Sequence, residues 1–302
     1  MTLASTSPIR GATDVYLVLG DPVEQVRAPE SFNLIFARLG IDAVLVPVHI
    51  SSDDLESFVR AAFKAPNIKG MWVTIPHKMQ VTAVLDECTD LGRMAGAVNA
   101  LRRDPQGRIA GGLFDGEGFV ASLEHFGIAW TGKKVLVIGA GGAAAAIGIS
   151  LAHGPRAAAG VGFFDPVPGK ARQLAGRIQQ GSRAAVQAAA SSDPAGYDLV
   201  INASPLGLEQ DDPMPCDVAR MEPHAALVDI LMKNQPTPAV RAARARGLAA
   251  QPGFEMLIQQ THLYLDFFGF HEAARMVRQD ADFLREQIYP RAMHGELRLA
   301  SA

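Results

Sequence analysis

Residues 133–151 read KKVLVIGAGGAAAAIGISL, and their types and spacing point to phosphate chemistry. Residues 135–138 form a short, β-branched apolar run of the kind a buried parallel strand uses. The run leads into Gly139, Ala140, Gly141, Gly142 and Ala143, where no side chain exceeds a methyl group, and then into an Ala-rich helical stretch. So bare a turn lets the main chain approach a pyrophosphate. The helix it opens presents unpaired N–H groups and the positive end of its dipole. The spelling departs from a strict G-x-G-x-x-G, so the strand before and the helix after it carry the dinucleotide-binding reading. Residues 160–164 read as a second strand, with Asp165 directly behind it. A carboxylate there accepts hydrogen bonds from the adenosine ribose and repels a 2′-phosphate, which points to NAD ahead of NADP. In the competing reading Asp165 and Pro166 only start a turn, with Lys170 and Arg172 offsetting the charge.

The rest of the chain must position that turn. At 302 residues, with 48% hydrophobic and 20% charged residues, there is material for two domains and a sizeable core, and the composition excludes a disordered chain. A net charge of -3 gives no case for nucleic acid or an anionic membrane surface as partner. Cys88 and Cys216 are too few for a disulfide framework, and the N-terminus lacks the basic and apolar regions of a signal peptide, so a cytoplasmic location is expected. A small-molecule partner is expected, and a homodimer stays open.

Strands are expected over 15–19, 43–50 and 69–75, with helices over 30–39 and 53–63 and another after Pro76-His77-Lys78. This alternation implies an α/β fold with a mostly parallel sheet. The Gly-rich span 107–118 reads as a passage between domains, followed by a helix over 119–126. Further strands are expected over 199–202 and 226–230, and an apolar helix over 256–268. The Ala-rich residues 184–190 read as a solvated helix or loop, and the run 241–246 (RAARAR) as a solvated helix face. His49, His77, His125 and His153 make no metal-ligand spacing, and no metal is expected.

Taken together, Gly20-x-Pro22, Val73-Thr74-Ile75-Pro76-x-Lys78, Ala95-Gly96-Ala97-Val98-Asn99, Asp115-Gly116, the 139–143 turn, Asn202-Ala203-Ser204-Pro205-x-Gly207 and Met256-Leu257-x-x-Gln260 resemble the shikimate dehydrogenase family over about residues 15–270. The resemblance implies an N-terminal α/β substrate domain formed by 1–118 with 255–302, and a Rossmann NAD(P)-binding domain over 119–254. It also implies reversible hydride transfer between a nicotinamide and a ring hydroxyl or ketone. Lys78 and Asp115 match the family's catalytic pair, meeting across one cleft. A lysine held partly out of water can pass a proton as the hydride leaves, and a neighbouring carboxylate can orient the hydroxyl. Thr74, Asn99 and Gln260 match substrate contacts. Asn202, Ala203, Ser204 and Leu206 match the loop under the nicotinamide half, with Ile230, Gly253 and Met256 about the ring.

The departures concern acid recognition. Where family members that use shikimate or quinate carry Ser-x-Ser/Thr-Pro, this chain has Val26-Arg27-Ala28-Pro29. A carboxylate without partners there costs several kcal/mol, roughly. Arg27 offers a bidentate replacement, but Ala28 precedes a proline and is expected to be extended, which turns residue 27 away. Trp72 stands for a usual Asn, Met232 for a usual Tyr, and Leu113-Phe114 for Asn-Thr. The expectation is an NAD-dependent dehydrogenase with an altered substrate. A true shikimate dehydrogenase and a non-catalytic NAD-sensing protein are the alternatives.

Overall fold

The computed structural model describes residues 9–297 apart from 155 and 210. Contacts group the chain into two units, 1–114 with 261–289 and 115–260 with 290–302. This grouping places Asp115 and residues 255–260 with the second unit.

The first unit opens with β1 (Asp14–Gly20), α1 (Ala28–Leu39), β2 (Ala43–His49), α2 (Leu55–Ala62) and β3 (Ile68–Val73). There follow β4 (Glu87–Cys88), α3 (Asp90–Ala95), β5 (Ala100–Arg103) and β6 (Ile109–Gly112). The sheet order is β2-β1-β3-β5-β6-β4. Strands β1, β2 and β3 are parallel, whereas β5 runs antiparallel to β3 and β6. The expected helix after Lys78 is only a 3₁₀ turn, Gln80–Val84. The Gly-rich span 107–118 contains the division between the units, after residue 114, and also contributes β6. A side chain on Gly111 would meet Leu85 at 2.7 Å and Val98 at 2.9 Å, so glycine is required by packing rather than by flexibility. One face of the sheet buries Leu17, Leu19, Met71 and Val73 against Leu55 and Val59 of α2.

The second unit begins with α4 (Asp115–His125), β7 (Lys134–Ile138), α5 (Gly142–His153), β8 (Gly160–Phe164), α6 (Lys170–Gln179) and β9 (Ala185–Ala188). It continues through β10 (Leu199–Asn202), β11 (Ala226–Asp229), α7 (Pro238–Ala245), β12 (Ala250–Pro252) and α8 (Phe254–Phe267). Thus the Ala-rich patch contains an edge strand, β9. Helices α9 (His271–Gln279) and α10 (Asp282–Ile288) return to the first unit, and α11 (His294–Leu297) follows. The second sheet is parallel throughout, in the order β12-β11-β10-β7-β8-β9. That is a doubly wound sheet whose direction of winding reverses between β7 and β10, where such folds bind ligands outside the carboxyl ends. Among the described residues no helix is long and apolar enough to cross a membrane.

Candidate active site

Register explains how the second unit gathers its candidate residues. Phe164, Ile138, Asn202, Asp229 and Pro252 stand side by side across five strands. The next residue on each strand is Asp165, Gly139, Ala203, Ile230 and Gly253, so five dispersed cofactor candidates emerge along one edge. Gly139 has φ +110°, and a side chain there would meet the Ala203 carbonyl at 2.5 Å. Gly141 caps α5, and the space where its side chain would stand is open. Ala140, Gly142 and Ala143 complete this small turn. The backbone amides at the start of α5, a helix of 12 residues, fit a dinucleotide pyrophosphate.

A polar network fixes the nicotinamide-side loop. The Asn202 amide Nδ2 donates to the Leu206 carbonyl at 3.0 Å and to Asp229 Oδ2 at 3.1 Å. The Ser204 hydroxyl donates to Asn202 Oδ1 at 2.6 Å, and the Thr237 hydroxyl to Asp229 Oδ2 at 2.8 Å. Asp229 is wholly buried, and burial pushes its carboxyl up against the opposing pull of these donors. Sequence reading missed Asp229 and Thr237. The Thr-Pro pair that starts α7 was the available signal, since Thr237 caps that helix through the Val240 amide. Met256 is buried in α8, and Gly253 lies against the Ile230 backbone.

Asp115 opens α4 and is buried. Two glycines seat that helix. A side chain on Gly116 would meet the Ala146 carbonyl of α5 at 2.1 Å, and one on Gly118 the Met256 carbonyl and Gln260 Cβ of α8 at 2.7 Å. Gln260 is therefore against α4, in the same unit as Asp115.

In the first unit, the turn after β3 is held on all sides. The Thr74 amide donates to the Leu19 carbonyl at 2.9 Å, the His77 amide to the Thr74 carbonyl at 2.9 Å, and the Val98 amide to the Lys78 carbonyl at 2.8 Å. His77, also missed, is wholly buried and donates through Nε2 to the Ile50 carbonyl at 2.9 Å. The Lys78 main chain is thus fixed while its side chain is half-buried. Asn99 is fully buried, and its Oδ1 accepts from the Phe114 amide at 3.1 Å, one residue ahead of Asp115. Its side chain pins the backbone there.

The acid-recognising end departs from expectation. Ala28 is the first helical residue of α1, not extended, because a proline at the second position of a helix forfeits no intrahelical hydrogen bond. Arg27 then sits at the cap (φ −107°, ψ −7°) with its guanidinium turned to Glu30 at 2.7 Å and to the Gln287 carbonyl at 3.4 Å. Trp72 is buried between α1 and α8, beside Phe32 and Tyr264.

Residues 18–101 match the model of the shikimate dehydrogenase substrate binding domain. The shikimate dehydrogenase (NADP(+)) of Rubrobacter xylanophilus is 35% identical over 263 residues, covering 85% of this chain and 90% of the relative. The chain belongs to the shikimate dehydrogenase family. The enzyme of that name from Acidiphilium cryptum is 39% identical over 80% of this chain and 86% of its own. Among solved structures, shikimate 5-dehydrogenase from Thermus thermophilus in complex with NADP(H) and shikimate superposes with a TM-score of 0.76 at 26% identity, covering 88% of this chain and 100% of that one. The ligand-free 5-ketofructose reductase of Gluconobacter sp. strain CHM43 gives 0.74 at 25% identity, covering 88% and 98%. As a family member the chain is an oxidoreductase of the shikimate dehydrogenase type, with a Rossmann fold and a substrate-binding α/β domain.

The expectation of NAD is corrected by these relatives, which are named for NADP(+). The structure supplies the reason that Asp165 misleads. Its Oδ2 accepts from the Ala140 amide at 2.9 Å and its Oδ1 from the Val167 amide at 3.0 Å. Lys170 Nζ lies 3.3 Å from Oδ2, and only 8% of the side chain is exposed. This carboxylate closes a turn and is neutralised in place, so it neither reserves its oxygens for a ribose nor repels a phosphate as a lone charge would.

Proposed function

We propose that the chain catalyses reversible hydride transfer between NADP and a ring hydroxyl or ketone of a substrate related to shikimate or quinate, with altered recognition of the acid group. NADP is held at the 139–143 turn, with Ala203, Ser204, Leu206, Ile230, Gly253 and Met256 on the nicotinamide side. When bound, it supplies the hydride acceptor or donor. Lys78 takes the hydroxyl proton on oxidation and returns it on reduction. Asp115 accepts a hydrogen bond from the same hydroxyl and so orients it, and Thr74, Asn99 and Gln260 bind the remaining hydroxyls.

The observation that carries the altered substrate is the α1 start. Val26 and Ala28 offer no hydroxyl, and the Arg27 guanidinium is committed to Glu30 and Gln287. A carboxylate placed there lacks the partners that offset its desolvation. The test supplies NADP(H) with shikimate, quinate and uncharged polyols or ketoses, and follows nicotinamide absorbance. Lys78→Ala is expected to lower turnover on the best substrate by about 100-fold or more, the usual worth of a positioned proton-transfer group. Wild-type turnover in that variant would falsify the assignment. The second reading, a true shikimate dehydrogenase, is favoured by the names of the relatives at 35% and 39% identity. It requires shikimate to be oxidised with a higher kcat/KM than any uncharged substrate is turned over.

A further inference from the structure

The turn that carries Lys78 inverts the usual order of burial. Ile75 and Met79, its large apolar side chains, are 48% and 41% exposed, whereas the imidazole of His77 is 0% exposed. Of residues 75–80 only His77 is buried. Its two ring nitrogens are treated unequally. Nε2 lies 2.9 Å from the Ile50 carbonyl, a group that can only accept, so the ring proton sits there. Nδ1 is left as an acceptor with no hydrogen-bond partner among the described residues. A desolvated acceptor left unmade costs more than a made bond gains, and a phenyl ring would fill the same space without that cost. Packing alone gives no reason for a histidine here, and such a broken local rule is what functional sites show.

The bond from Nε2 spans more than a neighbouring strand. Strand β1 lies between β2 and β3. Main-chain bonds tie adjacent strand ends: the Asp21 amide donates to the Ile75 carbonyl at 3.1 Å, and the Ile50 amide to the Gly20 carbonyl at 3.2 Å. The imidazole reaches past β1, from the turn after β3 to the residue that follows β2. On the other side of Lys78, Gln80 Nε2 donates to the Ser52 carbonyl at 2.7 Å, but that side chain is exposed and exchanges its bond with water. Lys78 therefore stands beside one buried strut, with the Val98 amide on its own carbonyl at 2.8 Å.

We propose that His77 is a positioning residue: the hydrogen bond from its Nε2 to the Ile50 carbonyl sets where the Lys78 amine stands for proton transfer. This rests on the role given to Lys78 above. Because Nδ1 contributes no bond, an amide side chain long enough to reach Ile50 replaces the imidazole, and a ring without an N–H does not.

The experiment makes His77→Phe and His77→Gln singly and in the Lys78→Ala background. Rates are measured on shikimate and quinate with NADP and on 5-ketofructose with NADPH, and the probe that the wild type turns over best is used throughout. His77→Phe is expected to lower kcat by about 10- to 100-fold, the cost of misplacing a reacting group by up to an ångström, with KM for the nicotinamide unmoved. Losing the orphaned acceptor offsets the lost bond, so Tm moves by no more than about 3 °C. His77→Gln is expected to keep kcat within about threefold of wild type, the scale of a displacement much under an ångström. His77→Asn, whose amide is too short to reach Ile50, should behave as His77→Phe and serves in its place if the phenyl variant does not fold. In the Lys78→Ala background His77→Phe should cost nothing further, because both residues act on one proton transfer. A merely structural His77 lowers Tm and leaves kcat unmoved, or lowers kcat by the same factor with and without Lys78. Either result overturns the proposal and leaves the role of Lys78 intact. Wild-type turnover in Lys78→Ala removes both, as does a wild type that turns over none of the probes.

Discussion

Asp229 shows how much of this site rests on single buried groups. Its carboxylate joins the end of β10, through Asn202, to the cap of α7, through Thr237. Burial raises its pKa above the ordinary 3.8, so the folded state holds the proton more tightly than the unfolded chain. The sign follows from linkage: that contribution to stability is full below 3.8 and is lost as pH rises through the folded value. Asp229→Asn removes the titration, so the stability difference between wild type and variant should widen in favour of the wild type as pH falls through that window. Urea midpoints across acid to neutral pH measure it, and a pH-independent difference would contradict the assignment. Lys170 is the second residue to test. Its ammonium neutralises Asp165, so Lys170→Ala should leave an uncompensated carboxylate and raise KM for NADP by about tenfold, while KM for the alcohol is unmoved. The position of Asp165 behind a strand was legible in the sequence. That its oxygens are taken by the amides of Ala140 and Val167 was not, because those contacts depend on how the turns close in space.

Elements with a helical repeat or an apolar run were read well, and short strands without such a run poorly. Strands β7, β8 and β10 are continuous apolar runs, and α1 carries buried Phe32, Ile35 and Phe36 at helical spacing, so each announces itself locally. Strands β4, β6, β9 and β12 span two to four residues, too few for periodicity to show, and they exist because a neighbouring strand pairs with them. The start of α4 was missed for a related reason. Glycines at 116 and 118 argue against a helix by propensity, yet they are what lets α4 lie against the backbones of α5 and α8. Gly116→Ala would drive a methyl group into the Ala146 carbonyl, an overpacking cost of about 1–3 kcal/mol or more. Because Asp115 is the preceding residue, the helix should shift it by a fraction of an ångström to an ångström. A loss of about 10- to 100-fold in kcat is expected, with NADPH still bound as judged by fluorescence titration. Unchanged kcat would show that α4 does not set the position of Asp115.

At the scale of the whole molecule, the order of the chain and the order of folding units differ. The first unit is completed only by residues 261–289, after the second sheet has been built. Its aromatic core records this debt to the distant segment. Phe268 packs on Tyr16 at 5.2 Å and on Trp72 at 4.3 Å, Phe270 on Phe36 at 5.4 Å, and Tyr264 on Phe32 at 5.9 Å. Helix α10 adds the Gln287 carbonyl that receives Arg27, and Phe283, over which Arg38 lies at 4.5 Å. Removing one buried aromatic ring costs about 3–5 kcal/mol, against a total stability of about 5–15 kcal/mol for a typical domain. A chain ending at Gln260 should therefore leave residues 9–114 unfolded, whereas the parallel sheet from β7 to β12 keeps all its strands. Limited proteolysis should then digest the N-terminal part and spare a fragment that starts near Asp115. That fragment should still bind NADPH, since the 139–143 turn and the network on Asp229 lie wholly within it. Protection of residues 9–114 in the shortened chain would mean that the N-terminal strands make a sufficient core alone, and that the late helices serve another purpose than holding Trp72 and Tyr16 out of water.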